Sequence, residues 1–390
     1  MYTLSRKKLL FDLYYAYQCA KKHKVQKEYV KVFEENLHEN LVKLRDDLYD
    51  RKYKQQPSVC FIITEPKKRE IFAANFIDRI VHHLYYNYVY DLFDKTFIED
   101  SYSCRKGKGT HYGIHRLERH IREESENYSK ETYVLKMDIK GYFIHINRPL
   151  LLSIVNETLR KTKKKGKYNN IIDFDFVEYL SEITILLNPI KNCIFKSRMN
   201  EWETLDKSKS LFYSDEDCGL PIGNLTSQLY SNVYLNVLDQ YIKRVLHCKH
   251  YGRYVDDFYI VSSNIEFLKN AASEICNFIK SNLKLEIQNK KTRIINIRYG
   301  VDFLGAFIKP HRTYVSSKAV KRMNRQLYDM KRYGTDKNIF CQINSFLGIL
   351  SHYKSYNIKL KTFKNFRLLD KYGYFNDNFS KFIEYKHYDS

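Results

Sequence analysis

Apolar residues recur at helical spacing over much of the chain. Between 4 and 50 they fall at Leu9, Leu10, Leu13, Tyr14 and Tyr17, then at Val30, Phe33, Leu37, Leu41, Leu44 and Leu48. This predicts two helices joined by a Lys-rich stretch near 21–28. Residues 58–64 (SVCFIIT) form a short apolar run bounded by Pro57 and a charged turn at 65–70, so a buried strand is expected, with Ile71-Phe72 returning beside it. Ile77, Ile80, Val81, Leu84, Tyr88 and Leu92 mark a helix over 76–94. A Gly- and Lys-rich loop at 101–111 precedes a helix at 113–124 and a strand at 132–139. Helices follow at 150–160 and 174–187, separated by a basic run at 160–167, and residues 190–217 read as irregular. A turn at 219–224 feeds a helix at 225–246, and a strand–turn–strand pattern surrounds Tyr254-Val255-Asp256-Asp257. A helix at 267–282, strands at 283–288, 293–297 and 301–308, and a basic helical tail to about 370 complete the pattern. Strands mixed with helices, without regular βαβ alternation, place the chain in the α+β class.

Charge narrows the function. The 390 residues carry a net charge of +22, which predicts a polyanionic partner, nucleic acid first and membrane surface second. The eight cysteines include no C-x-x-C pair, so reduced thiols in a cytoplasmic protein are expected. No run of apolar residues is long enough to span a membrane.

The chemistry is expected at three acids. Asp138 ends one predicted strand, and Asp256 and Asp257 sit on the tip of a predicted hairpin. Carboxylates converging from neighbouring strand ends suit a pair of divalent cations. Side chains alternate along a strand, so Asp256 is expected to be the stronger partner of Asp138.

The order of motifs adds more than their spacing. Residues 134–143 (VLKMDIKGYF), 219–228 (GLPIGNLTSQ), 254–257 (YVDD), 289–292 (NKKT) and Phe303-Leu304-Gly305 resemble, in sequence, the palm motifs of the reverse transcriptase family. Upstream, 65–83 (EPKKREIFAANFIDRIVHH) and 97–111 (FIEDSYSCRKGKGTH) resemble the fingers motifs of one branch, the reverse transcriptases of diversity-generating retroelements, related to those of group II introns and retrons. The segment Ile222-Gly223-Asn224-Leu225-Thr226-Ser227-Gln228 matches that branch's variant motif.

The resemblance implies a right-hand polymerase: an N-terminal helical extension (1–56), fingers (57–130), a palm (131–308) with a Lys-rich insertion at about 160–217, and a basic helical thumb (309–390). Asp138, Asp256 and Asp257 would hold two Mg²⁺ ions, with the Ile139 carbonyl assisting and Mn²⁺ able to substitute. Lys291 would stabilise charge on, or donate a proton to, the leaving phosphates. Lys67, Lys68 and Arg69 would clamp the triphosphate, where bidentate geometry favours arginine. Phe143 would exclude a 2′-hydroxyl, and Ile222, Gly223 and Gln228 would border the incoming nucleotide. Arg105, Lys106 and Lys108 would meet the template backbone, and Phe303, Leu304 and Gly305 the primer. Substrates would be dNTPs, a template RNA and a cDNA or primer, with a small basic accessory protein as partner. Copying would be error-prone at template adenines, because the apolar Ile222 cannot hydrogen-bond near the nucleotide. A phage-defence or retron-type reverse transcriptase and a non-catalytic RNA-binding protein on a polymerase scaffold are the competing readings.

Overall fold

The computed structural model describes residues 2–64, 67–333, 339–363 and 367–385. Three helices, not two, open the chain: α1 (Arg6–Lys21), α2 (Glu28–Glu35) and α3 (Leu37–Tyr49). The expected second helix is interrupted at Asn36, whose backbone leaves helical geometry. Then come β1 (Ser58–Ile63), β2 (Arg69–Ala73), α4 (Phe76–Asp94), α5 (Thr110–Glu124), β3 (Tyr133–Asp138), a one-turn α6 (Tyr142–His145), α7 (Arg148–Lys164) and α8 (Phe174–Ile185). The irregular segment contains a short strand, β4 (Cys193–Phe195), and a single turn, α9 (Asn200–Glu203). They are followed by α10 (Leu225–Arg244), β5 (His250–Tyr254), β6 (Asp257–Ser262), α11 (Ile265–Leu283), β7 (Arg293–Asn296), β8 (Val301–Phe303), β9 (Ala306–Lys309), β10 (Arg312–Val315), α12 (Ser317–Tyr333), α13 (Ile339–Ser351), α14 (Tyr356–Phe363), β11 (Gly373–Phe375) and β12 (Phe382–Glu384).

Helix starts follow local capping chemistry. The Asn75, Asn147 and Asp173 side chains accept from the amides of Ile77, Leu150 and Phe176, satisfying first-turn donors of α4, α7 and α8.

The chain forms two compact units that cut across the linear blocks expected from sequence. Unit 1 comprises residues 1–109, 136–260 and 266–292. In it, α1 packs on α3 and α4, while α10 packs on α4 and α7. The sheet β2-β1-β4 joins an antiparallel pair to a parallel one, Ser58 facing Cys193. Unit 2 comprises 110–135, 261–265 and 293–390. Its core gathers Val315, Met323, Leu327, Ile343, Leu347 and Phe382, and the antiparallel sheet β10-β9-β8 belongs to it. The order β5-β6-β3-β7 defines the sheet that carries the acids. Among the described residues no helix is long and apolar enough to cross a membrane.

Candidate active site

The acidic hairpin forms as its pattern predicts. Strands β5 and β6 are joined by the two residues Val255 and Asp256, and Val255 has φ 56°. A β-branched residue is rare in this left-handed region, and the conformation costs about 1–2 kcal/mol. A buried network supports it. The guanidinium of Arg253 donates to both Asp239 carboxylate oxygens, at 2.8 and 2.7 Å, and to the Val255 carbonyl at 3.0 Å. Tyr251 also donates to Asp239, at 2.6 Å. Both charged side chains are fully buried. Sequence reasoning passed over this pair, because an acid on an amphipathic helix and a basic residue beside a motif look like surface charge.

Asp138 lies beside the hairpin tip. The Ile139 amide donates to the Asp256 carbonyl at 3.3 Å, and the Gln288 amide to the Asp138 carbonyl at 2.8 Å. Lys291 binds both carboxylate oxygens of Asp138, at 2.8 and 2.9 Å. Lys136, two residues before Asp138 and so on the same strand face, lies 3.4 Å from Asp257. Strand alternation could have revealed Lys136. Burial, then the neighbouring Asp138, pushes Asp256 up to about 6. Burial also raises Asp257, which Lys136 partly offsets. The charge of Asp138 thus disfavours the ionised form of both hairpin acids, the electrostatic condition under which a cation binds well. As they stand they are not a formed coordination shell: among the described residues no group of three His, Cys, Asp or Glu side chains is gathered closely enough to hold a metal. Lys136 and Lys291 bring positive charge beside them.

A second wall comes from β2 and the turn before α10. The Phe72 amide donates to the Ile222 carbonyl at 3.1 Å, and the Ala74 amide to the Asn224 side chain at 3.2 Å. Gly223 has φ 123°, and a Cβ there would sit 3.1 Å from Ile71 Cγ2 and 3.3 Å from the Phe72 carbonyl oxygen. Glycine is required by both conformation and contact. Lys67 and Arg69 are exposed and Lys68 half-buried on the β1–β2 hairpin. The Leu220 amide donates to the Phe143 carbonyl at 2.8 Å, tying this turn to the segment after Asp138. Phe143 is half-buried and the Ile139 side chain is in the core.

The expected template loop divides by role. Arg105 turns inward, donating to Asp94 at 2.7 Å and to the carbonyls of Ile98 and Ser101 at 2.6 and 3.1 Å. It braces the loop from within. Lys106 is exposed, lying over the Tyr90 ring, and Lys108 pairs with Glu99 at 3.0 Å. These residues, Tyr86 and Gln228 line an open cleft of about 330 Å³. Phe303, Leu304 and Gly305 form the β8–β9 turn in unit 2, with Phe303 buried and positive φ at Leu304 (50°) and Gly305 (85°).

A hairpin bearing two acids, set beside a third acid at a strand end on an α+β fold, is an arrangement suited to divalent-cation chemistry. A family profile described as reverse transcriptase (RNA-dependent DNA polymerase) matches residues 63–308. The chain belongs to the reverse transcriptase family. Protein YkfC of Escherichia coli (strain K12) is 23% identical over 299 residues, covering 67% of this chain and 69% of that protein. Among solved structures, apo telomerase from Candida tropicalis truncated from its C-terminal domain is similar at TM-score 0.48 and 14% identity, over 72% of this chain and 60% of that one. Apo telomerase from Candida tropicalis gives 0.49 and 12%, over 81% and 61%. The chain thus spans about three fifths of the length of these telomerase structures.

Proposed function

We propose that this chain copies an RNA template into DNA, by attack of a primer 3′-hydroxyl on the α-phosphate of a dNTP with release of pyrophosphate. The observation that carries the reading is the backbone contact between Ile139 and Asp256, which places Asp138 beside the hairpin acids. Reverse transcriptase domains use divalent metals. Asp138, Asp256 and Asp257 are the residues that would hold Mg²⁺ or Mn²⁺ here, assisted by the Ile139 carbonyl. When bound, such ions activate the attacking hydroxyl and neutralise developing phosphate charge.

The chain's own residues do the rest. Lys67, Lys68 and Arg69 bind the triphosphate from the fingers side. Lys291, released from Asp138, turns its ammonium to the leaving pyrophosphate as charge stabiliser or proton donor. Phe143 blocks a 2′-hydroxyl. Gly223 lets the backbone approach the nucleotide, and Gln228 with Lys106 and Lys108 borders the template. The turn at Phe303-Leu304-Gly305 supports the primer. In this reading the fingers, palm and thumb span 57–130, 131–308 and 309–390, behind an N-terminal extension at 1–56.

The finer assignment is to a diversity-generating retroelement, working in the cytoplasm with a small basic accessory protein. It rests on the motif at 222–228, where the apolar Ile222 stands in the turn before α10. Primer extension on RNA with Mg²⁺ tests the activity. Wild type should extend and Asp256→Ala/Asp257→Ala should not. Absence of extension by wild type, with or without the accessory protein, would favour an RNA-binding role on a polymerase scaffold.

A further inference from the structure

Strand β2 has two faces. Arg69 and Ile71 point to the side that meets the Gly223 turn, while Glu70 and Phe72 point inward. The inward face is covered by the insertion. The carboxylate of Glu70 is 3% exposed and accepts from Trp202 Nε1 at 2.8 Å, Ser210 Oγ at 2.7 Å and the Leu211 amide at 2.8 Å. Leu211 packs with Cys60, Phe72 and Ile144, and Phe195 and Phe212 stack beside Trp202 with centroids 5.5 and 5.4 Å apart from Phe195. The insertion also holds the tip and the palm side. Lys68 donates to Thr204 Oγ1, β4 pairs with β1, and the Ser208 carbonyl oxygen would lie 3.2 Å from a Cβ at Gly141. One segment therefore contacts the hairpin carrying Lys67–Arg69 and the turn leading to Phe143.

We infer that residues 193–211 are a positioning element for the nucleotide clamp, and that Glu70, with Trp202 and Ser210 as its side-chain partners, is the positioning residue that sets where Arg69 stands. This rests on the reading of Arg69 as a triphosphate ligand. The physical reason is stiffness. A two-stranded hairpin is at best marginally stable by itself. Here a third strand and a buried carboxylate with three donors hold it. A buried carboxylate that loses a donor is costly, so the arrangement is strongly preferred over alternatives. The chain holds its clamp ready before nucleotide arrives, which lowers the ordering cost of binding.

The test is steady-state extension on a homopolymer RNA template, with KM for the matched dNTP and kcat measured separately, beside thermal unfolding. The variants are Arg69→Ala, Glu70→Gln and Trp202→Phe; the last keeps the ring but removes the N–H. Glu70→Gln and Trp202→Phe should each raise KM by about tenfold or more, the effect of one lost hydrogen bond to a charged group, with kcat nearly unchanged. If Arg69→Ala leaves KM unchanged, the clamp reading itself fails. If Arg69→Ala raises KM while folded Glu70→Gln and Trp202→Phe do not, the clamp stands and the positioning inference is overturned. A matched fall in kcat and thermal midpoint without a KM change would assign the segment a purely structural role and overturn it too. Should Glu70→Gln fail to fold, Trp202→Phe decides.

Discussion

Replacing Arg253 by methionine removes the cation that sits between the Asp239 carboxylate and the strained turn. Both partners are fully buried. The change leaves Asp239 with the Tyr251 hydroxyl as its hydrogen-bond donor among the described residues. Removing one member of a buried pair costs about 3–5 kcal/mol, because the other charge stays buried and uncompensated. With a urea dependence of about 3 kcal/mol per molar, the midpoint should fall by about 1 M. The double variant Arg253→Met/Asp239→Leu should recover most of that loss, since a buried ion pair is often matched by apolar residues of similar volume.

Activity should part company with stability in that double variant. The Arg253 Nη1 bond to the Val255 carbonyl at 3.0 Å is lost in both variants. Val255 then loses the bond that supports its left-handed φ of 56°, and the turn that presents Asp256 relaxes. Primer extension should remain depressed by tenfold or more, on the order of the 1–2 kcal/mol of released strain. Urea titration and extension rates, measured on the same preparations, separate the two effects. A single variant within 1 kcal/mol of wild type would refute the burial argument. Full extension by the double variant would refute the claim that Arg253 holds the turn.

Three further outcomes follow from the geometry. Gly223→Ala forces a Cβ against Ile71 and the Phe72 carbonyl at φ 123°; a cost of about 1–3 kcal/mol should lower the thermal midpoint by a few degrees and raise KM for dNTP, and an unchanged KM would show that the turn does not border the nucleotide. Ile222→Gln should lower misincorporation opposite template adenines, read by sequencing the cDNA; an unaltered spectrum would remove the link between this position and fidelity. Burial pushes His82 down to about 3 and His83 to about 4, so they contribute stability above pH 6.5 that is lost as pH falls through those values. Asp78, pushed up to about 6 by burial, acts with the opposite sign, its contribution lost as pH rises through 6. The urea midpoint difference between wild type and His82→Gln should therefore shrink from pH 7.5 to pH 4.5, and a constant difference would mean that His82 titrates normally.

What the sequence revealed, and what it hid, divides by the range of the interaction. The acidic hairpin was legible because its alternation, its turn and its flanking apolar residues lie within a dozen positions. The strand ending at Asp138 was legible for the same reason, and Lys136 could have been read from strand period alone. The Glu70–Trp202 contact was not legible: its partners are 132 residues apart, and Glu70 stands in a charged run, where sequence suggests solvent. Strand β4 is three residues long and pairs in parallel with β1, so no periodicity could announce it. The inward turn of Arg105 belongs with these cases. Next to Lys106 and Lys108 it reads as another cation for a phosphate backbone, and only the distant placement of Asp94 and two carbonyls turns it into a brace. Local pattern was enough to single out the candidate acids, while the contacts that hold them depend on long-range packing, and it is there that substitutions should separate stability from activity.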